Sequence, residues 1–246
     1  MKPTMKWLAV LSLGGAMGAG PAHADYTYMG HCTDDPAVSP EDIISSCTGF
    51  ISRALAENWQ QEKIPAALLF QATAYERLEK YGRAEEILKS AVARYPAFRP
   101  AWVNLGRLLE KREGPGALMA TMDAMVQQRP NDPYALNEAC WMGATTGEEL
   151  DTALADCNAA LQLKPGDVNI LDSRALANLR QGNFAAAIAD ATAALAKNPK
   201  LAGSLYVRGI AKLESGDTAG GAADIDAARA MDGKVGDTYA GYGVVP

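Results

Sequence analysis

The sequence predicts an all-α solenoid of helical hairpins, and three observations carry that expectation. Prolines recur at Pro96, Pro130, Pro165 and Pro199, in steps of 34, 35 and 34 residues, and one further step of 34 lands on Gly233, another helix stop. A sustained period of that length marks a repeat architecture. Two amphipathic helical patterns also fall between successive marks. In LDSRALANLRQGNFAAAIADATAALAKNP, Leu171, Ala175 and Asn178 ride one helix, and Ala187, Ala191 and Ala194 ride the next. Finally, a glycine separates the two patterns. Gly182 ends the first helix by accepting the left-handed cap conformation, and Asn183 follows as a cap for the second. The next unit repeats the arrangement with Gly216, Asp217, Gly221, Ile225 and Ala228.

The first residues set the expected compartment. Lys2 and Lys6 form a basic start, Trp7 to Met17 is a short apolar run, and Ala22-His23-Ala24 is a cleavage signal. Together they predict a signal peptide, residues 1–24, cut after Ala24, and a periplasmic or secreted protein. The apolar run is too short to span a bilayer, and charges recur throughout the rest, so no stable membrane insertion is expected. No cysteine sits at the cut to carry a lipid. Cleavage removes two lysines and no acid, taking the formal charge from −6 to −8. An acidic surface argues against nucleic acid and against an anionic membrane, and favours a basic partner.

Residues 25–64 read as an N-terminal half unit. Within SPEDIISSCTGFISRALAEN, Ser39 caps, Pro40 suits the first helical turn, and Asp42 completes a capping-box-like pattern. Ile43, Cys47, Phe50, Ile51 and Ala54 then form an apolar stripe. Five hairpins follow, at about 65–98, 99–132, 133–167, 168–201 and 202–234. Asp132 and Asp167 stand at helix starts and read as caps. The tail, 235–246, carries Tyr239, Tyr242, Val244 and Val245 with little helical patterning. No strand pattern appears.

The segment AWVNLGRLL places Trp102, Leu105 and Gly106 at characteristic offsets, and Pro130 closes the same unit. In the preceding unit, Ala72, Tyr75, Ala84, Leu88, Ala91 and Pro96 fall at matching offsets. On these residues the chain resembles the tetratricopeptide repeat family. The resemblance implies a right-handed α-α solenoid whose first helices line a concave face where ligands lie. Small residues at the repeat positions let paired helices approach closely. The sequence departs from the pattern in places. Leu118 and Met125 stand where small residues are usual, and the third unit is one residue long. Gly147 lies six residues before Ala153, whereas Gly182 lies five before Ala187, so the extra residue falls after Gly147. That register puts Cys140 in the close-contact position and turns Trp141 toward the concave surface.

Four cysteines, Cys32, Cys47, Cys140 and Cys157, remain after cleavage. An even number in an oxidising compartment implies disulfides. Within the repeat architecture Cys140 and Cys157 sit on the two helices of one hairpin, and Cys32 just precedes the helix holding Cys47. The expected pairs are therefore Cys32–Cys47 and Cys140–Cys157. Neither has C-x-x-C spacing, which speaks against a thiol–disulfide enzyme or a zinc knuckle. Only His31 remains once His23 leaves, which removes His-based triads and metal sites. Glu85-Glu86 and Glu148-Glu149 are adjacent on helical spacing and point apart. GDTAGG at Gly216 lacks the strand and the GK[ST] of a phosphate loop. No catalytic residue, cofactor or metal is expected, and the chain reads as a binding protein rather than an enzyme.

The resemblance carries the candidate binding surface. Its inward offsets fall on Leu69, Thr73 and Glu76; on Val103, Arg107 and Glu110; and on Asn137, Trp141 and Ala144. Further along they fall on Asp172, Leu176 and Leu179, then on Tyr206, Ile210 and Leu213. Arg107, Asn137, Trp141, Asp172, Leu176, Tyr206 and Ile210 are the residues expected to hold a partner, because aromatic and arginine side chains dominate binding energy and exposed apolar patches mark contact sites. Arg107 and Asn137 are scattered and no lysine joins them, so the family's clamp for peptide C-termini is not expected. Two states of this face stay open: a groove free for a partner, or a groove covered by Tyr239–Pro246 folding back. The expected function is an adaptor or scaffold holding a segment of a protein or peptide partner, with a thiol–disulfide protein or a self-associating structural protein as the alternatives.

Overall fold

The computed structural model describes residues 30–246. The expected signal peptide, 1–24, lies outside the described residues. Within them the chain forms twelve α-helices, one short 3-10 turn at Gln61–Lys63 and no strand. The helices are α1 (Pro40–Ala56), α2 (Ile64–Arg77), α3 (Tyr81–Arg94), α4 (Arg99–Glu113), α5 (Ala117–Gln128) and α6 (Pro133–Thr146). They continue as α7 (Leu150–Leu163), α8 (Val168–Arg180), α9 (Phe184–Lys197), α10 (Ala202–Glu214), α11 (Thr218–Met231) and α12 (Val235–Gly241). From α2 to α11 they pair as five antiparallel hairpins, and each hairpin packs on the next. This is an all-α solenoid.

Local chemistry accounts for the helix ends. The Ser39 hydroxyl accepts the Asp42 amide and donates to the Asp42 carboxylate at 2.7 Å, starting α1. Asp132 accepts the Tyr134 amide, and Asp167 accepts those of Asn169 and Ile170. Asp217 does the same for Gly220. Asn183 departs from expectation. Its side chain caps nothing and instead donates to the Gln181 side-chain carbonyl at 2.9 Å. After Gly147 two residues, Glu148 and Glu149, precede α7, whereas Asn183 alone separates Gly182 from α9. That is where the long third unit holds its extra residue.

Small residues set the spacing inside each hairpin. Gly106 on α4 lies against Leu118 of α5, where an added Cβ would meet the leucine Cδ1 at 2.6 Å. The leucine in the usual small position is thus matched by a glycine opposite it. Met125, the other large replacement, is fully buried beside Met119 and Met122, since methionine fills irregular gaps. The core divides at α6. Ala135, Ala139 and Met142 join the N-terminal cluster, while Leu136, Cys140 and Ala144 join the C-terminal one.

A polar bridge recurs along the outer seam. Arg174 makes a two-pronged pair with Asp190 at 2.8 and 2.7 Å, and reaches Asn158 of the preceding hairpin at 2.8 Å. One period later Arg208 grips Asp224 at 2.7 Å twice and reaches Thr192. Burial alone would raise the Asp224 carboxyl, but Arg208 and Lys212 overcome it and hold it below the usual range. The third hairpin breaks the series. Ala139 stands where the arginine would be, and Asp156 occupies the carboxylate position. Burial, reinforced by the charge of Asp123, pushes Asp156 up to about 6.

Two expectations follow from these ends and seams. The α2–α3 turn closes through amides of Glu79 and Lys80 onto the carbonyls of Glu76 and Tyr75, both at 2.9 Å. Gly182 and Gly216 close their turns alike, but here the left-handed position holds Glu79 at φ 58°. Glu79→Gly relieves that strain and raises stability by about 0.5–1 kcal/mol, read as a higher urea midpoint. For Asp156, the folded chain prefers the proton, so stability is greatest below pH 4 and falls as pH rises from about 4 to 6. Asp156→Asn should match the parent at pH 4 and exceed it at pH 7 by about 1 kcal/mol after solvent screening. Thermal melts across that range check both the sign and the window.

Candidate functional site

The first helices of the hairpins form the inner layer: α2 packs beside α4, α6 beside α8, and α8 beside α10. Side chains four and seven residues apart share one helix face. The expected inward offsets therefore share a face on each helix, and these helices adjoin directly from α2 to α4 and from α6 through α8 to α10. The structure divides that surface into two halves of different character.

In the N-terminal half the surface is open. Leu69, Thr73 and Glu76 are partly buried, and Arg107 is exposed with no hydrogen bond or ion pair among the described residues. Burial raises the Glu76 carboxyl, opposed by the charge of Lys111. The Glu110 carboxylate is committed to the Leu118 amide at 2.9 Å. Asn137, at 9% exposure, leaves its side-chain carbonyl oxygen without a partner. Its neighbour Glu138 pairs with Arg99 at 3.4 Å, and its carboxyl is raised by burial, opposed by Arg99 and Arg107.

In the C-terminal half the surface is covered. Leu176, Tyr206 and Ile210 were expected to present a binding surface, yet they are core residues at 0%, 1% and 3% exposure. At Tyr206 the tail accounts for this. Residues expected to lack helical pattern form α12 and return across the inner layer. Tyr239 packs on Tyr206 with ring centroids 5.2 Å apart, and Tyr242 meets Trp141 edge-on at 5.9 Å. Arg180, at the end of α8, donates to the Tyr242 carbonyl and to that of Thr146. The tail thus runs from the fifth hairpin to the third. Asp172 lies beneath it, partly buried, accepting the Ser204 hydroxyl; burial raises its carboxyl against that bond. The Tyr239 phenol is raised well above its usual value, by burial first and then by the charge of Asp172. Asp172 is the floor of the tail's socket, not an exposed contact.

Arg180 and the two tail tyrosines are the residues that offset reasoning did not place in the site. Arg180 follows the last inward offset of α8 and links the tail's Tyr242 carbonyl to that of Thr146. Trp141 is partly buried, with Tyr242 edge-on against it.

Both cysteine pairs are bridged, Cys32–Cys47 with Cα atoms 4.6 Å apart and Cys140–Cys157 at 5.5 Å. All four sulfurs are buried, and no free cysteine exists among the described residues. Cys140 faces Cys157 where Gly209 approaches Ile225 two hairpins later, so the bridge fixes α6, and with it Trp141, against α7. Among the described residues no three His, Cys, Asp or Glu side chains converge as a metal site, and no helix is long and apolar enough to cross a membrane.

Two family models, both described as tetratricopeptide repeat, match residues 65–108 and 173–237. The chain belongs to the tetratricopeptide repeat family. Solved structures agree on the fold. A type IV pilus biogenesis factor, PilW, is 15% identical with a TM-score of 0.55, over 73% of this chain and 86% of that one. A tetratricopeptide protein from Parabacteroides merdae is 14% identical with a TM-score of 0.55, over 82% and 83%. Yeast Tom70 is 16% identical with a TM-score of 0.59, over 87% of this chain and 42% of its own. None of the curated proteins matches the chain in sequence. At such identities the likeness is one of fold. A tetratricopeptide scaffold is a frame for protein–protein interaction.

The bridge in the third hairpin has a measurable weight. Replacing both Cys140 and Cys157 by alanine frees a loop closed over a separation of 17 residues. The variant should lose about 3 kcal/mol in urea unfolding while keeping its helical circular dichroism at low denaturant.

Proposed function

We propose that this tetratricopeptide protein is an exported adaptor that holds a segment of a partner protein against its inner face. One observation carries the reading. Between the second and third hairpins the inner surface offers an exposed arginine, Arg107, a buried amide with an unsatisfied oxygen, Asn137, and an indole, Trp141. These groups take a carboxylate, a backbone amide and an apolar side chain respectively, which is the chemistry of a polypeptide. A pre-formed groove also avoids the entropy of ordering a site on binding. The export part of the reading is supported by the basic start, apolar run and A-x-A signal, together with two disulfides, which persist in oxidising compartments.

The thiol–disulfide alternative fits less well. A redox cysteine needs an accessible, activated sulfur, and all four here are buried in bridges.

The test uses residues 25–246 as bait for exported proteins, beside Arg107→Ala and Trp141→Ala. Neither side chain is fully buried, so both variants should fold. A genuine groove partner should lose about 1–2 kcal/mol of affinity with each, roughly a five- to thirty-fold weaker Kd. Partners retained equally by all three baits would place the interaction elsewhere and overturn the reading.

A further inference from the structure

Two polar groups near the tail, Arg107 and the Asn137 oxygen, have no hydrogen-bond partner among the described residues. Beyond Tyr242 the chain turns back on itself. Gly243 adopts a left-handed backbone, φ 73°. The amides of Gly243 and Val244 return to the carbonyls of Ala240 and Tyr239 at 3.0 and 2.9 Å. This is a Schellman closure, which brings the residue after the glycine back against the helix; Val244 is accordingly buried at 5% exposure. Arg107 is exposed, with its charge opposing the rise of the nearby Tyr242 phenol, and the Asn137 oxygen is buried and unpartnered. An unsatisfied buried polar atom costs free energy that a ligand regains by supplying its partner.

We propose that the groove binds a partner segment carrying two aromatic residues three apart on one helical turn, followed by an extended stretch with a carboxylate, and that this segment displaces residues 239–246. The proposal rests on the adaptor reading and names the partner's chemistry. The resident tail shows what the covered half accepts: rings on Tyr206 and Trp141, and a carbonyl for Arg180. The open half shows what a better ligand adds. Its carboxylate pairs with Arg107, and a backbone amide of its extended stretch pairs with the Asn137 side chain. The tail has the advantage of tethering, which acts as a high local concentration. The partner has the advantage of two contacts that the tail does not make.

Direct titration of the full chain tests this, with two labelled peptides followed by fluorescence anisotropy. One copies residues 235–246. The other is the same peptide with Gly243→Ser and Val244→Asp, which straightens the turn and adds the carboxylate. The proteins are the parent, Gly243→Val and Arg107→Ala. A β-branched residue in left-handed backbone loosens the resident tail about ten-fold without altering any groove residue. The acidic peptide should therefore bind the Gly243→Val chain about ten-fold more tightly than the parent. Arg107→Ala should weaken the acidic peptide about five-fold or more and leave the copied peptide unchanged. Should Gly243→Val fold poorly by circular dichroism, Tyr242→Ala loosens the tail instead, with the same expected gain.

Three results would overturn the proposal. Folded tail variants that bind neither peptide make the tail a fixed cap; partners sensitive to Arg107→Ala and Trp141→Ala would then still support the adaptor reading alone. Equal binding to parent and tail variants places the peptide outside the tail's socket. A concentration-dependent dimer of Gly243→Val in light scattering assigns the socket to the tail of a second copy.

Discussion

Everything in this protein depends on how closely the two helices of each hairpin approach. Gly106, Cys140, Ala175 and Gly209 stand at the contact point of their hairpins, and the helix opposite comes within reach of any added side-chain atom at Gly106 and Gly209. Close approach makes each hairpin a flat slab with two apolar faces. A slab cannot bury both faces alone, so it stacks, and stacking fixes the inner layer that forms the groove. The third hairpin meets the same constraint with a covalent bond, Cys140–Cys157, in place of a glycine lying against a larger side chain.

A stack of slabs has two ends, and each end is finished differently. At the start, α1 covers the first hairpin, tied down by Cys32–Cys47. At the finish, α12 and the residues after it cover Tyr206, then reach on to Trp141. The N-terminal cover stays at its end. The C-terminal cover crosses the groove, which is why the two halves of one repeating surface differ so much in exposure.

The repeating part of this arrangement was legible in the sequence because it depends on local pattern. The proline period, the glycines at the turns and the capping aspartates each act within a few residues, and the helices stand where they point. The cysteine bridges were legible once the helices were placed. The tail was not read as a helix, because seven residues hold fewer than two turns and show no 3.6-residue period. Its aromatic residues were visible, and so was the prospect of their folding back; the choice between an open and a covered groove was not, since it is a long-range packing preference. The same cause explains the burial of Tyr206, which Tyr239 covers from 33 positions away. Asn183 shows a smaller limit: its type suits a cap, but a neighbouring glutamine competes for its side chain.

The reach of the tail has a consequence for how the chain comes apart. A pure stack of repeats couples only neighbours, so its stability behaves as a one-dimensional chain of links and either end can fray. Tyr242, through its ring on Trp141 and its carbonyl on Arg180, joins the fifth hairpin to the third as well as to the fourth. That contact closes the last three hairpins into a loop of mutual support, with Cys140–Cys157 at one side of it. The first two hairpins have no such shortcut. The protein is therefore two cooperative blocks meeting at α6, with native-state hydrogen exchange slow and uniform from the third hairpin onward and graded toward the N-terminal end.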